Sequence, residues 1–133
     1  MDYSRLEAKL VHHERQVPGD CPVALPEHSV WPRYDGRSVG NLAQTVAQAL
    51  GGSLKDGLPG LAPELVGDSL GGVRRVILLV MDAMGWRQLK LVMALDGDLV
   101  FHRLAAAGQL APITTTFLST TNSVLSSIWT GRP

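Results

Sequence analysis

"RRVILLVMD" (residues 74–82) is the stretch on which the fold turns. Two arginines lead into an unbroken aliphatic run in which Val76, Ile77 and Val80 are β-branched. The run does not alternate with polar residues, so it suits a strand buried on both faces, as in parallel sheets covered by helices. The pattern predicts a central parallel strand over residues 74–81, with Asp82 at its exit and Gly85 allowing a sharp turn away. As a membrane span the run is far too short.

Downstream, Leu89, Val92 and Met93 are spaced as one helical face. "DLVFHRLAAAG" (98–108) predicts a second short helix stopped by Gly108, and "QLAPIT" (109–114) a second, shorter strand. Upstream, "GGSLKDGLPGLAPELVGDSLGG" (51–72) is loop-like and has neither the glycine spacing nor the Lys-Ser/Thr pair of a phosphate-cradling loop. Val39, Leu42, Ala43, Val46 and Leu50 form the apolar face of a helix beginning near Ser38 and ended by Gly51-Gly52. Prolines at 18, 22, 26 and 32 make residues 17–37 an irregular wrap or linker. At the start, Ser4 and Glu7 have capping-box spacing, with Leu6, Leu10 and Val11 following at helical intervals. Residues 1–37 thus read as an N-terminal helix with an irregular wrap, and residues 38–133 as the start of an α/β core.

Composition narrows the function. The chain has 133 residues, 45% of them apolar, which is material for a core. Lys plus Arg and Asp plus Glu balance at 12 each, and no basic cluster exceeds Arg74-Arg75, so polymeric nucleic acid is not an expected partner. The polar N-terminus "MDYSRLEAKLVHHER" is no secretory signal, and a lone Cys21 forms no intrachain disulfide framework; both favour a cytoplasmic setting.

The chemistry concentrates in "TTTFLSTTNSVLSSIWTGRP" (114–133). Val124, Leu125, Ile128 and Trp129 make one helical stripe, and Gly131 with Pro133 supplies the stop, so a helix is expected over 121–130. Its hydroxyl-rich head has two readings. Ser or Thr there caps unpaired N–H groups. Alternatively, the positive end of the helix dipole holds a phosphoryl group that a hydroxyl attacks, once a base or metal has activated it. Asp82, at the end of a buried strand, stands where α/β sheets gather ligands, and a hard carboxylate there suits a metal; its plainer role is capping the next helix.

"VRRVILLVMDAMGW" (73–86) followed by "LAPITTTFLSTTNSVLSSIWTGRP" (110–133) resembles the opening of the alkaline-phosphatase superfamily, in its bacterial nucleotide pyrophosphatase/phosphodiesterase-like branch. "YDGRSVGNLAQTVAQALGG" (34–52) resembles bacterial members less specifically. The resemblance implies a three-layer α/β/α core, incomplete in this chain, and a phosphoester hydrolase using two divalent metal ions, usually zinc. Asp82 would hold one metal. Thr121 would be both ligand and nucleophile, forming a covalent phospho- or nucleotidyl-threonine, with the N–H groups around Thr121 and Asn122 binding phosphate oxygens. Thr120 becomes the nucleophile if the helix starts one residue earlier. If Asp82 and Thr121 share a tetrahedral ion, their oxygens should lie roughly 3–4 Å apart, and somewhat farther without metal.

The departures are Ala83 for the usual glycine and Val124 for an asparagine of the animal branch. The sulfatase pattern is absent, and Met84 stands where a haloacid-dehalogenase-type phosphatase needs a second aspartate. The family's remaining ligands lie beyond its T-G-x-P turn, so the chain is expected to be an N-terminal piece, inactive alone. His12, His13 and His28 are expected at the surface, and His102 solvated on a helix flank. The competing expectation is a non-catalytic α/β binding or assembly module on the same scaffold.

Overall fold

A computed structural model describes residues 3–11 and 29–133. The expectations for Pro18, Pro22, Pro26, Cys21, His12, His13 and His28 fall outside those residues.

The described chain is helical. In order come α1 (Tyr3–Val11), a 3₁₀ turn (Val39–Asn41), α2 (Leu42–Ala49), α3 (Pro63–Val66), α4 (Trp86–Leu95), α5 (Val100–Ala107) and α6 (Thr121–Thr130). The expected α/β/α core is not formed. Residues 74–81 form no strand, and the only β-pairing among the described residues is a parallel bridge between Ser38 and Thr114. Thr114 is all that remains of the second expected strand. The correction has a physical cause. A strand exists by hydrogen bonding to a neighbour, and Val76–Met81 has no backbone hydrogen bond to any described residue. The side chains from Ile77 to Met81 are exposed instead of doubly buried, with Ile77 at 94% and Leu79 at 80%.

The best-buried part of the described residues is polar. Ser38 and Asn41 are completely inaccessible, and Gln44, Thr45, Thr114, Thr116 and Ser127 are nearly so, beside the apolar Ala62, Leu65 and Ile128. A buried polar group is tolerated only when its hydrogen bonds are made, and here they are. Asn41 accepts from Ser38 N–H at 2.9 Å and donates through Nδ2 to the carbonyls of Tyr34 and Pro59, both at 2.8 Å. Ser38 Oγ in turn accepts from Gly40 N–H, completing a reciprocal cap on the 3₁₀ turn. Thr45 Oγ1 donates to Asn41 C=O and accepts from Leu61 N–H. Gln44 Oε1 accepts from Leu54 N–H. Thr114 Oγ1 donates to Arg37 C=O and accepts from Arg33 N–H. Three stretches distant in sequence (33–45, 54–61 and Thr114) are tied together this way.

This hub carries α6. The 3₁₀ turn and α2 pack against it, and Gly40 sits so close that an added Cβ would meet Leu58 Cδ1 at 2.9 Å. At the far end of α6, Gly131 adopts the left-handed conformation (φ +66°) and its carbonyl accepts from Leu58 N–H at 2.7 Å. Gly36, at φ +107°, lies against Ala62 N and Gly60 O, where a side chain would collide. Helix α1 is attached by polar contacts: Glu7 with Lys90 of α4 at 2.5 Å, and Lys9 with Glu64 of α3 at 3.8 Å. Tyr3 meets Trp86 edge to face. No helix among the described residues is long and apolar enough to cross a membrane.

Candidate functional site

The site is built by two segments. The first is the turn that follows the apolar run 76–81. Asp82 is exposed there, and its Oδ1 accepts from Ala83 N–H at 2.9 Å. Ala83 has φ +59°, a left-handed conformation that costs an L-residue about 1–2 kcal/mol. Glycine takes that conformation freely, so alanine is the strained choice here.

The second segment is the head of α6. Thr120 is the N-cap, in extended conformation, and its hydroxyl accepts from Ser123 N–H at 3.4 Å while pairing with Ser123 Oγ at 2.9 Å. Thr120 is therefore committed to the helix, and the capping role belongs to it. Thr121, the first helical residue, is exposed and has its hydroxyl free for other use. That hydroxyl donates to Asp82 Oδ2 at 3.2 Å. The two side chains thus meet, at a separation within the 3–4 Å that two ligands of one tetrahedral ion have.

The backbone N–H groups of Thr121 and Asn122 make no hydrogen bond to a described residue, and the first turn of α6 contains no acidic residue. Those donors and the helix dipole give the spot a positive potential beside the Asp82 carboxylate. Asn122 is exposed and opens a groove of about 380 Å³ along the hydroxyl-bearing side of α6. Thr116, Ser126, Thr130 and Arg132 also line it. The groove does not include Asp82 or Thr121, so it adjoins the carboxylate–hydroxyl pair and does not enclose it.

For a metal, the donor set is the test. Two hard oxygens at this separation fit part of the coordination of one divalent ion. No group of three or more His, Cys, Asp or Glu side chains that could hold an ion exists among the described residues. The described residues therefore provide a half-set for one ion and nothing for a second. His102, expected to be solvated on a helix flank, is half-buried there, and one of its ring nitrogens is engaged. Its Nε2 approaches the carbonyls of Met93 (2.9 Å) and Asp96 (3.2 Å) at the end of α4. Carbonyls only accept, so that nitrogen carries the proton and is unfit to bind a cation.

Sequence reasoning missed the Ser38–Asn41 hub that seats α6. The signal was present as a Ser followed three residues later by a side-chain amide, a capping-box spacing. Comparison of the chain with protein-family models, with curated proteins and with solved structures finds no match.

Proposed function

We propose that this chain carries the nucleophile segment of a metal-dependent phosphoester hydrolase of the phosphodiesterase or nucleotide pyrophosphatase type. The observation that carries the reading is the 3.2 Å hydrogen bond from Thr121 Oγ1, at the mouth of α6, to Asp82 Oδ2. The resemblance of residues 73–86 and 110–133 to the alkaline-phosphatase superfamily gives it a chemical direction.

In this reading Thr121 Oγ attacks the phosphorus of a small phosphoester or nucleotide. A Thr121 O–P bond forms, the ester oxygen leaves with its electron pair, and the hydroxyl proton is drawn off on the Asp82 side. The N–H groups of Thr121 and Asn122 hold non-bridging oxygens, and the helix dipole favours the charge that gathers there. Asp82 and Thr121 would hold one divalent ion, which lowers the pKa of the alcohol it touches and so makes a threonine reactive near neutrality. The remaining ligands, including all those of a second ion, would come from outside the described residues.

The test is an adduct assay. The protein together with the segment that supplies the remaining metal ligands is incubated with an activated aryl phosphodiester and zinc or manganese, and the peptide bearing Thr121 is weighed by mass spectrometry. The expected result is a metal-dependent adduct on Thr121, lost in Thr121→Ala and retained in Thr120→Ser. No adduct at any metal concentration, or one on Thr120, removes the reading.

A second reading, a non-catalytic binding or assembly module, is favoured by the exposed apolar segment Ile77–Met81. It predicts no metal-dependent chemistry at Thr121 and an unaltered assembly state in Thr121→Ala.

A further inference from the structure

The groove along α6 holds polar side chains of two kinds. One kind is spent inside the protein. Thr116 Oγ1 donates to Leu118 C=O at 3.2 Å, Thr130 Oγ1 donates to Ser126 C=O at 2.7 Å, and Ser123 Oγ pairs with Thr120 at 2.9 Å. The other kind is idle. The Asn122 amide, the hydroxyls of Ser126 and Ser127 and the Arg132 guanidinium bond to no described residue, and all four residues line the groove. Among the described residues, no carboxylate side chain lines it.

Ser127 is the decisive member. It is only 3% exposed, with its Cβ close beside Gly40 of the 3₁₀ turn, and a buried hydroxyl is costly to leave without a partner. A hydroxyl inside a helix can turn onto a carbonyl one turn back, as that of Thr130 does; that of Ser127 does not. Among the described residues, the Trp86 indole nitrogen is the one side-chain polar atom both unbonded and sealed from solvent. The Ser127 hydroxyl is unbonded, so it is not sealed, and the groove is where it opens.

We infer that the groove binds an anionic monosaccharide, a sugar bearing a phosphate or a carboxylate. Asn122 and Ser126 stand about 6 Å apart along the helix axis, Ser127 follows, and Arg132 lies just past the helix end. Amide and hydroxyl groups both donate and accept, as the hydroxyls of a sugar do. A guanidinium with no carboxylate of its own matches a phosphate or carboxylate in charge and in geometry. Phe117, stacked on Trp31 with ring centroids 5.5 Å apart, adds one aromatic side chain for the C–H surface of a sugar ring. At about 380 Å³ the groove has room for one such molecule. An apolar ligand would leave Ser127 and Arg132 desolvated and unpaired.

This inference is independent of the proposed chemistry, since Thr121 and Asp82 lie outside the groove and no metal enters it. The experiment is calorimetric titration of the full chain with glucose 6-phosphate, ribose 5-phosphate and glucuronate, with glucose and inorganic phosphate as controls. At least one anionic sugar should bind about tenfold more tightly than either control, and the phosphate and carboxylate arms show which anion Arg132 takes. Arg132→Gln should lower that affinity about tenfold, through loss of a charged hydrogen bond. Ser127→Ala should lower it several-fold without lowering the thermal midpoint, because the hydroxyl it removes bonds to nothing in the fold. Ser126→Ala, at an exposed position, should weaken binding as well and carries no risk to the core. The inference is overturned if no anionic sugar binds more tightly than both controls, if Arg132→Gln binds like the parent, or if both serine variants do. Thr121→Ala should bind the sugar unchanged, so a failure here and a failure of the adduct assay are separate results.

Discussion

Thr121 Oγ1 donates a hydrogen bond to Asp82 Oδ2 across 39 residues of chain, at 3.2 Å. One residue earlier, Thr120 turns its hydroxyl inward to cap α6. Two adjacent threonines with the same chemistry are thus divided between structure and solvent-facing use, and the division is set by where the helix begins.

Replacing Asp82 with asparagine keeps an acceptor for the Thr121 hydroxyl and removes the charge. Both groups are exposed, so thermal stability should change by less than about 0.5 kcal/mol. Affinity for zinc or manganese, measured by calorimetric titration, should fall at least about tenfold. Equal affinity in the two proteins would remove Asp82 as a ligand.

Thr120→Ala should cost about 1 kcal/mol, because Ser123 N–H then loses its side-chain acceptor. Thr120→Ser should restore most of it. Thr121→Ala should be close to neutral, since that hydroxyl caps nothing and alanine is the better helix former. Chemical denaturation of the three variants reads the order directly.

Asn41→Ala should be the most damaging single truncation in the hub. It strips partners from Ser38 N–H and from the carbonyls of Tyr34 and Pro59, all beside a fully buried residue. A loss of about 3 kcal/mol is expected, given roughly 1–3 kcal/mol for each buried group left unsatisfied. Because α6 packs on the same turn, loss of protection at the α6 amides in hydrogen exchange should accompany it.

At Ala83, φ +59° sets the order of substitutions. Glycine removes about 1 kcal/mol of conformational strain but gives back part of that to the freer unfolded chain. The midpoint of thermal unfolding should therefore rise slightly in Ala83→Gly. It should fall clearly in Ala83→Val, whose branched side chain suits φ > 0 least.

Acid should weaken the structure in a defined window. Hydrogen bonding from Lys90 holds the Glu7 carboxyl below its ordinary 4.5, and hydrogen bonding from Arg33 holds Asp35 below 3.8. Glu64 is lowered first by its own backbone N–H and then by Arg37. A carboxylate whose folded pKa is depressed contributes fully above its unfolded pKa and loses that contribution as pH falls through the folded one. Stability should thus be level above about pH 5 and decline below about pH 4.5. The groups are largely exposed, so the decline should be shallow and reduced further by salt. Asp35→Asn should flatten it, and a thermal midpoint series from neutral to acid pH is the measurement.

Helices were legible because their determinants are local. Thr120 and Gly131 bracket α6 at the residues where a cap and a left-handed stop belong, and the stripe from Val124 to Trp129 lies between them. The same holds for α2, α4 and α5, whose apolar spacing and glycine stops are contained in their own sequence. The α1 helix is present too, although it starts at Tyr3, which puts Ser4 inside the first turn.

Residues 74–81 failed for the opposite reason. Val76, Ile77 and Val80 prefer an extended backbone, but a strand also needs a neighbour that no local pattern supplies. The contact between Asp82 and Thr121 was expected only through the resemblance, and the hub in which Asn41 joins Tyr34 to Pro59 was not expected at all.

What the amino-acid order determined by itself is therefore α1, α2, α4, α5 and α6, whereas the short α3 fell in a stretch whose glycines and prolines read as loop. Only the tertiary structure decided that Thr120 caps while Thr121 faces Asp82, that the core is a network of polar side chains, and that the most apolar run stays uncovered. Helical hydrogen bonds close within four residues, whereas each of these outcomes depends on partners dozens of residues away whose approach is set by packing.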